Sequence, residues 1–175
     1  LPQIQLISTS ESKNLSLADR EADFAIRLIR VADPLLIGKK VADYGIAVYG
    51  AKKHWQGKTE KDLDKMNFQL VADQNPKDFA NKWLSKRFPK ARVCARFDLS
   101  VSIATCLAHS EFVGMLPCIL GSRREDLVQI IGVEKTFSMP MYLLTHRSFK
   151  RNPSKVALFH LLAAEIEKSR AELLG

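Results

Sequence analysis

Two short polar stretches hold most of the chemistry this sequence offers. Ser8, Thr9 and Ser10 stand together in QLISTS, and Ser100 and Ser102 follow Asp98 in RFDLSVS. Hydroxyls and unpaired backbone N–H groups at a helix start, with the positive end of the helix dipole behind them, can hold a carboxylate or sulfate. In open α/β sheets, ligands collect beyond the carboxyl ends of the strands, where such helix starts gather. Ser and Asp also cap helices whether or not anything binds. Both readings stay open for each residue taken singly, and the binding reading rests on several of them converging.

Other chemistry is poorly supplied. His54, His109, His146 and His160 include no pair at metal-ligand spacing, so no metal site is expected. The sequence has no Gly-x-Ser-x-Gly elbow, no Gly-Lys-Ser/Thr phosphate loop and no dinucleotide glycine fingerprint. No enzyme activity and no cofactor are therefore expected. Cys118, after Leu116 and Pro117, has no general base marked in the sequence and reads as a buried structural thiol. Cys94, Cys106 and Cys118 lack Cys-x-x-Cys spacing, and the simplest reading is reduced, small buried groups in a cytosolic protein.

The chain has 175 residues, 46% hydrophobic and 26% charged, which suits one good core or two small ones. No apolar run approaches the roughly 20 residues of a membrane helix, and no basic region or apolar signal core opens the sequence. A cytoplasmic location, with no membrane partner, is the expectation. The formal charge of +8 raises the possibility of nucleic-acid binding. The cations fall in separate groups: Lys52 to Lys65, Lys82 to Arg92, and Arg147, Lys150 and Arg151. With no interleaved aromatics to stack bases, they read as solvated faces of three elements, and such a surface would equally attract a small anion.

The elements that position these residues are α/β. Residues 3–9 alternate as a strand would; Ser16 opens a short helix with Asp19 completing a Ser-x-x-Asp box; FAIRLI follows as a buried strand that Asp33-Pro34 breaks. YGIAVYG over 44–50 is the next strand, Thr59 with Asp62 caps a short helix, and FQLVAD is a strand. Asn75-Pro76 reads as an N-cap with Pro at the first helical position. ARVCARF, a helix capped by Asp98 with Val101, Ala104, Leu107 and Ala108 inward, and FVGML then form a strand–helix–strand unit of a parallel sheet. Pro117 starts a helical turn, LVQIIGV and SMPMYLLTH are strands, and Asn152-Pro153 begins the last helix.

The opening PQIQL, residues 14–51 (NLSLADREADFAIRLIRVADPLLIGKKVADYGIAVYGA), WLSKRFPKARV from Trp83, GMLP, and MYLLTHRSFKRNPSKVALFHLL together resemble the effector-binding domain of LysR-type transcriptional regulators. The order and spacing of these stretches carry the likeness, which extends over essentially the whole chain. It implies a fold similar to type 2 periplasmic binding proteins, with two Rossmann-like lobes, a hinge of two crossing strands, and a small-molecule effector in the cleft. On that likeness the first lobe takes residues 1–72 and 138–175, and the second 73–137.

Family members contact the effector through residues opening the second lobe's strand-to-helix turn, which correspond here to Asp98, Leu99, Ser100, Val101 and Ser102. By the same correspondence, the strand end Arg27, Leu28 and Ile29 is a further candidate. A guanidinium at Arg27 or Arg30 facing the cleft would form a charge-assisted bond to an anionic effector. The resemblance also implies a homodimer or homotetramer, and DNA contact only through a winged helix-turn-helix that lies N-terminal in the family and outside these residues. The family's domain begins with one further strand and helix ahead of the P-x-I stretch. Ser110 and Glu111 stand where a glycine is frequent in the family, a change expected to alter the local backbone. A stand-alone solute-binding protein shares the fold and is the alternative, weakened by the missing export signal.

Overall fold

The computed structural model describes residues 4–9, 16–29 and 32–175. By its internal contacts the chain divides into two compact units, one of Leu1–Ala42 with Pro140–Ser169 and one of Asp43–Met139 with Arg170–Gly175. Residues 43–72, which the resemblance groups with the first lobe, pack with the second of these units.

In the first unit the chain enters through a turn. Ser16 Oγ accepts from Asp19 N at 3.1 Å, as a cap would, but Glu21 supplies the reciprocal carboxylate to Ser16 N at 2.7 Å. Arg20 takes φ 60°, in the left-handed region, so the expected helix stops as a single turn over buried Leu17. Asp23 then ion-pairs with Lys155, and its carbonyl accepts from Thr145 Oγ1 at 2.8 Å. This fixes the start of β1 (Phe24–Arg27), which pairs antiparallel with β7 (Phe137–His146), Phe24 opposite Thr145. The strand expected over residues 3–9 is not formed in the described part: residues 4–9 are irregular, with Leu6 and Ile7 exposed. Alternation orients side chains, but a strand also needs a neighbour for its backbone.

The Asp33-Pro34 break is a turn closed by Leu36 N donating to Asp33 O at 3.1 Å. It leads into β2 (Leu36–Ala51), far longer than the strand expected over 44–50. The first unit's core is completed by a 3-10 helix (Arg147–Arg151) and a long helix, Pro153–Lys168, whose Phe159 ring stacks obliquely against Phe24 and Phe149. Asn152 caps this helix, its Oδ1 accepting from Ser154 N and Lys155 N, as the Asn-Pro pair predicts.

The second unit is wound on both faces of a sheet. Short helices α1 (Lys52–Trp55) and α2 (Glu60–Leu63) follow β2, and Thr59 with Asp62 forms the expected capping box. Then come β3 (Gln69–Asp73), α3 (Phe79–Arg87), β4 (Arg92–Phe97), α4 (Ser100–Ala108), β5 (Val113–Pro117), α5 (Cys118–Gly121) and β6 (Leu127–Ile131). In this numbering the helix Pro153–Lys168 is α6, and α7 (Arg170–Leu174) ends the chain. β3 pairs parallel with β4 on one side and β5 on the other, while β5 and β6 flank β2 antiparallel. Alternating β2 side chains serve opposite cores. Ala47 and Tyr49 pack with Ile103, Ala104 and Leu107, whereas Val48 packs with Leu84, Phe88 and Leu70.

Two further local readings are corrected. α3 is capped by Asp78, whose Oδ1 accepts from Ala80 N at 2.8 Å, while Asn75 Oδ1 accepts from Lys77 N and makes only a turn. Cys94 is exposed rather than buried. The Ser110 hydroxyl donates to Cys106 O at 2.7 Å and accepts from Phe112 N, closing the end of α4.

Glu60 ties three segments, accepting from Lys135 Nζ at 2.9 Å and Arg87 Nε at 3.0 Å. The Lys135 ammonium, and next the Arg87 guanidinium, hold its carboxyl below the usual range. A lowered folded pKa gives stability that is present above the unfolded value and is lost as pH falls through the folded one. Glu60→Gln should therefore lower the melting temperature near neutrality, with the gap from wild type closing below about pH 4. Leu107→Ala, at a fully buried site facing β3 and β5, should cost about 2–5 kcal/mol in urea unfolding.

Candidate functional site

Parallel pairing puts the carboxyl ends of β3 and β4 at one edge of the second unit's sheet, with Asp73 opposite Phe97. α3 and α4 leave that edge on opposite faces, because their inward residues fall in separate cores. Polar bonds stiffen the edge. Gln74 N donates to Phe97 O at 2.8 Å, Arg96 Nη1 to Asp73 O at 2.9 Å, and Asn81 Nδ2 to Asp73 O at 2.8 Å and Asn75 O at 2.6 Å. Asn81 is buried, so these two bonds fix the β3–α3 loop from beneath.

The turn from β4 into α4 carries five of the sequence candidates. The N-cap is Leu99 rather than Asp98, and no side chain caps the helix. Asp98 lies one residue too early to cap and is exposed. Ser102 N and Ile103 N both donate to Leu99 O, at 3.0 and 3.1 Å. Among the described residues, nothing accepts from the first two helical amides, Ser100 N–H and Val101 N–H. Val101, expected to face inward, is 61% exposed, and Leu99 is 54% exposed; Ile103 takes the inward place instead. The result is a pair of open amide donors between two exposed apolar side chains, with half-buried Ser100 and Ser102 hydroxyls at hand. Such a surface can accept a carboxylate on an apolar body.

The remaining candidates lie in the first unit. Ser8 and Thr9 are exposed in the irregular segment, and Ser10 and Arg30 lie outside the described residues. Arg27 is half-buried at the end of β1 opposite Tyr142; Leu28 is half-buried, and Ile29 is 60% exposed. Sequence reasoning missed Arg96 and the Asp73–Asn75 loop. The alternation of β4, with Arg92, Cys94 and Arg96 all exposed, was the available signal that a cation stands two residues before Asp98.

Cys118 is buried, and burial pushes its thiol pKa up, against a smaller lowering by its hydrogen bond with Tyr49. It is a neutral packing group, beside a Tyr49 hydroxyl likewise raised by burial. Among the described residues, no three of His, Cys, Asp and Glu stand together as a metal site requires, and no helix is long and apolar enough to cross a membrane.

Comparison with known structures places this geometry. The regulatory domain of CrgA, a LysR-type transcriptional regulator from Neisseria meningitidis, superposes with a TM-score of 0.75 at 17% identity, over 94% of this chain and 85% of that one. The effector domain of the transcriptional regulator AmpR of Pseudomonas aeruginosa gives 0.68 at 17% identity, over 97% and 86%. Against the longer CrgA structure from Neisseria meningitidis the TM-score is 0.74 at 16% identity, and the chain spans 59% of its length. These likenesses establish the fold, that of type 2 periplasmic binding proteins. A search among curated proteins gave no match. The LysR substrate binding domain profile matches residues 2–167, nearly the whole chain, and the chain belongs to that family.

Proposed function

We propose that this chain is the effector-sensing domain of a longer LysR-type regulator, and that a small metabolite bearing a carboxylate is held at the start of α4. The observation that carries this reading is the uncapped helix start, with the Ser100 and Val101 amides open between Leu99 and Val101. Ser100 and Ser102 add hydroxyl donors. The exposed Asp98 carboxylate beside them disfavours a bare anion and selects a ligand that also presents an N–H or O–H donor. In the first unit, Arg27, Leu28 and Ile29 and the Ser8–Ser10 segment are the further candidates.

The domain does no bond-making in this reading. Effector binding biases its conformation only as far as the effector's affinity differs between states. DNA is read selectively by a winged helix outside this chain, in a cytoplasmic homodimer or homotetramer. The encoded segment upstream of Leu1 should specify that winged helix; an export signal there would favour a solute-binding protein instead.

A thermal-shift screen with small carboxylates, amino acids and sulfate tests the site. A ligand at 100 times its Kd should stabilise by about 2.7 kcal/mol. Ser100→Ala/Ser102→Ala should shrink that response several-fold at unchanged unliganded melting temperature, and Arg27→Gln tests the first unit's contribution. A response of full size in the double serine variant would remove the α4 start from the site.

A further inference from the structure

Among the described residues several cations are taken up by carboxylates: Lys39 by Glu167, Arg87 by Glu60 and Asp64, Arg123 by Glu172, Arg124 by Asp126, and Lys155 by Asp23. The corner between β7 and α6 is one of the basic groups that are not. Arg147, Lys150 and Arg151 are all exposed within the five-residue 3-10 helix, and among the described residues none has a carboxylate partner. Residues three apart eclipse in a 3-10 helix, so Arg147 and Lys150 share one edge and Arg151 stands next to it.

The cluster sits on a fixed platform. Phe149 is buried against the Phe159 ring at 5.2 Å, Arg147 N donates to Leu35 O at 2.8 Å, and His146 Nδ1 lies 2.7 Å from the Ser148 hydroxyl. Its position is electrostatically unfavourable within the chain. The three cations immediately precede the start of the 16-residue α6, where the dipole favours negative charge; the first turn itself holds no acidic residue, and the Asp23 carboxylate beside it is taken up by Lys155. By contrast Lys86, Lys90 and Arg92, also exposed, lie at or beyond the end of α3, where cations complement the dipole.

We propose that this corner docks on the phosphate backbone of DNA without reading sequence. Two of the three cations are arginines, whose fork matches a phosphate, and exposed Asn152 and Ser154 add neutral polar groups of the kind that contact backbones. A protein partner fits less well: Leu35, 45% exposed and bonded through its carbonyl to Arg147 N, offers too little apolar surface beside these cations to form an interface core. The inference rests on the regulator reading only in supplying nearby DNA. Sequence selection stays with the winged helix, and this contact would hold the sensing domain against the same duplex.

The test is fluorescence anisotropy of the 175-residue chain with a labelled duplex of arbitrary sequence, in a salt series from low ionic strength. The probes are wild type, the patch variant Arg147→Gln/Lys150→Gln/Arg151→Gln, and the control Lys86→Gln/Lys90→Gln/Arg92→Gln of equal net charge. Wild type should bind with a Kd on the order of 10⁻⁴–10⁻⁶ M, and the patch variant should flatten the log–log salt slope by about 2.7, for three lost phosphate contacts. The control should leave most of that slope. Equal weakening by both variants, absence of binding at low salt, or equally tight patch-dependent binding of poly-glutamate would each overturn the proposal. The carboxylate thermal shift is read in parallel: its loss in wild type counts against the sensing site, whereas its retention in the patch variant certifies the fold and leaves the DNA result to stand alone.

Discussion

The parallel pairing of β3 with both β4 and β5 is the constraint on which the site depends. Parallel neighbours cannot be joined by a tight turn, so each connection crosses a face of the sheet as a helix. The step from β3 out to β4 and the step back to β5 run in opposite directions, which sends α3 and α4 to opposite faces. Both helices then begin at the same sheet edge. The α4 start is presented there because Ile103, Ala104, Leu107 and Ala108 are locked against the sheet behind it.

Close packing holds that arrangement without leaving latitude. Gly121 lies where any Cβ would run into the Tyr49 ring, so α5 can approach β2 only with glycine there. Burial pushes the pKa of both the Tyr49 hydroxyl and the Cys118 thiol up, so both pack against the sheet as neutral groups. Around the rim, the polar bonds from Arg96, Gln74 and Asn81 tie the loop after β3 to the ends of β3 and β4, from which α4 starts. An uncapped helix start on such a rim is an available donor pair whose geometry is set in advance, which limits the ordering cost of binding.

Much of the fold was legible from residues. The Thr59–Asp62 box and the Asn152-Pro153 cap formed as read, whereas the β4–α4–β5 unit was legible from its apolar alternation and not from its cap, since Asp98 does not cap α4. Misses fell where one signal stood alone. Residues 4–9 had only alternation, and Ser16 had a capping pattern that Arg20 ended by turning left-handed. Asn75 and Asp78 are two cap-competent residues three apart, and sequence does not say which lets Phe79 open the helix. The site shows the same limit. A run of five residues, 98–102, could be located, but the one-residue shift of the cap from Asp98 to Leu99, which opens the amides and turns Val101 outward, depends on where β4 stops. Likewise, the basic groups read alike in sequence; only the helix ends they occupy separate Lys86, Lys90 and Arg92 from Arg147, Lys150 and Arg151.

The most direct measurement is an amide NMR titration of the ¹⁵N-labelled chain with whichever carboxylate stabilises it. Hydrogen bonding of the ligand to the α4 start predicts that the Ser100 and Val101 amide protons move downfield and saturate with the same Kd as the thermal response. Saturable binding that leaves both resonances in place while others move would contradict the account.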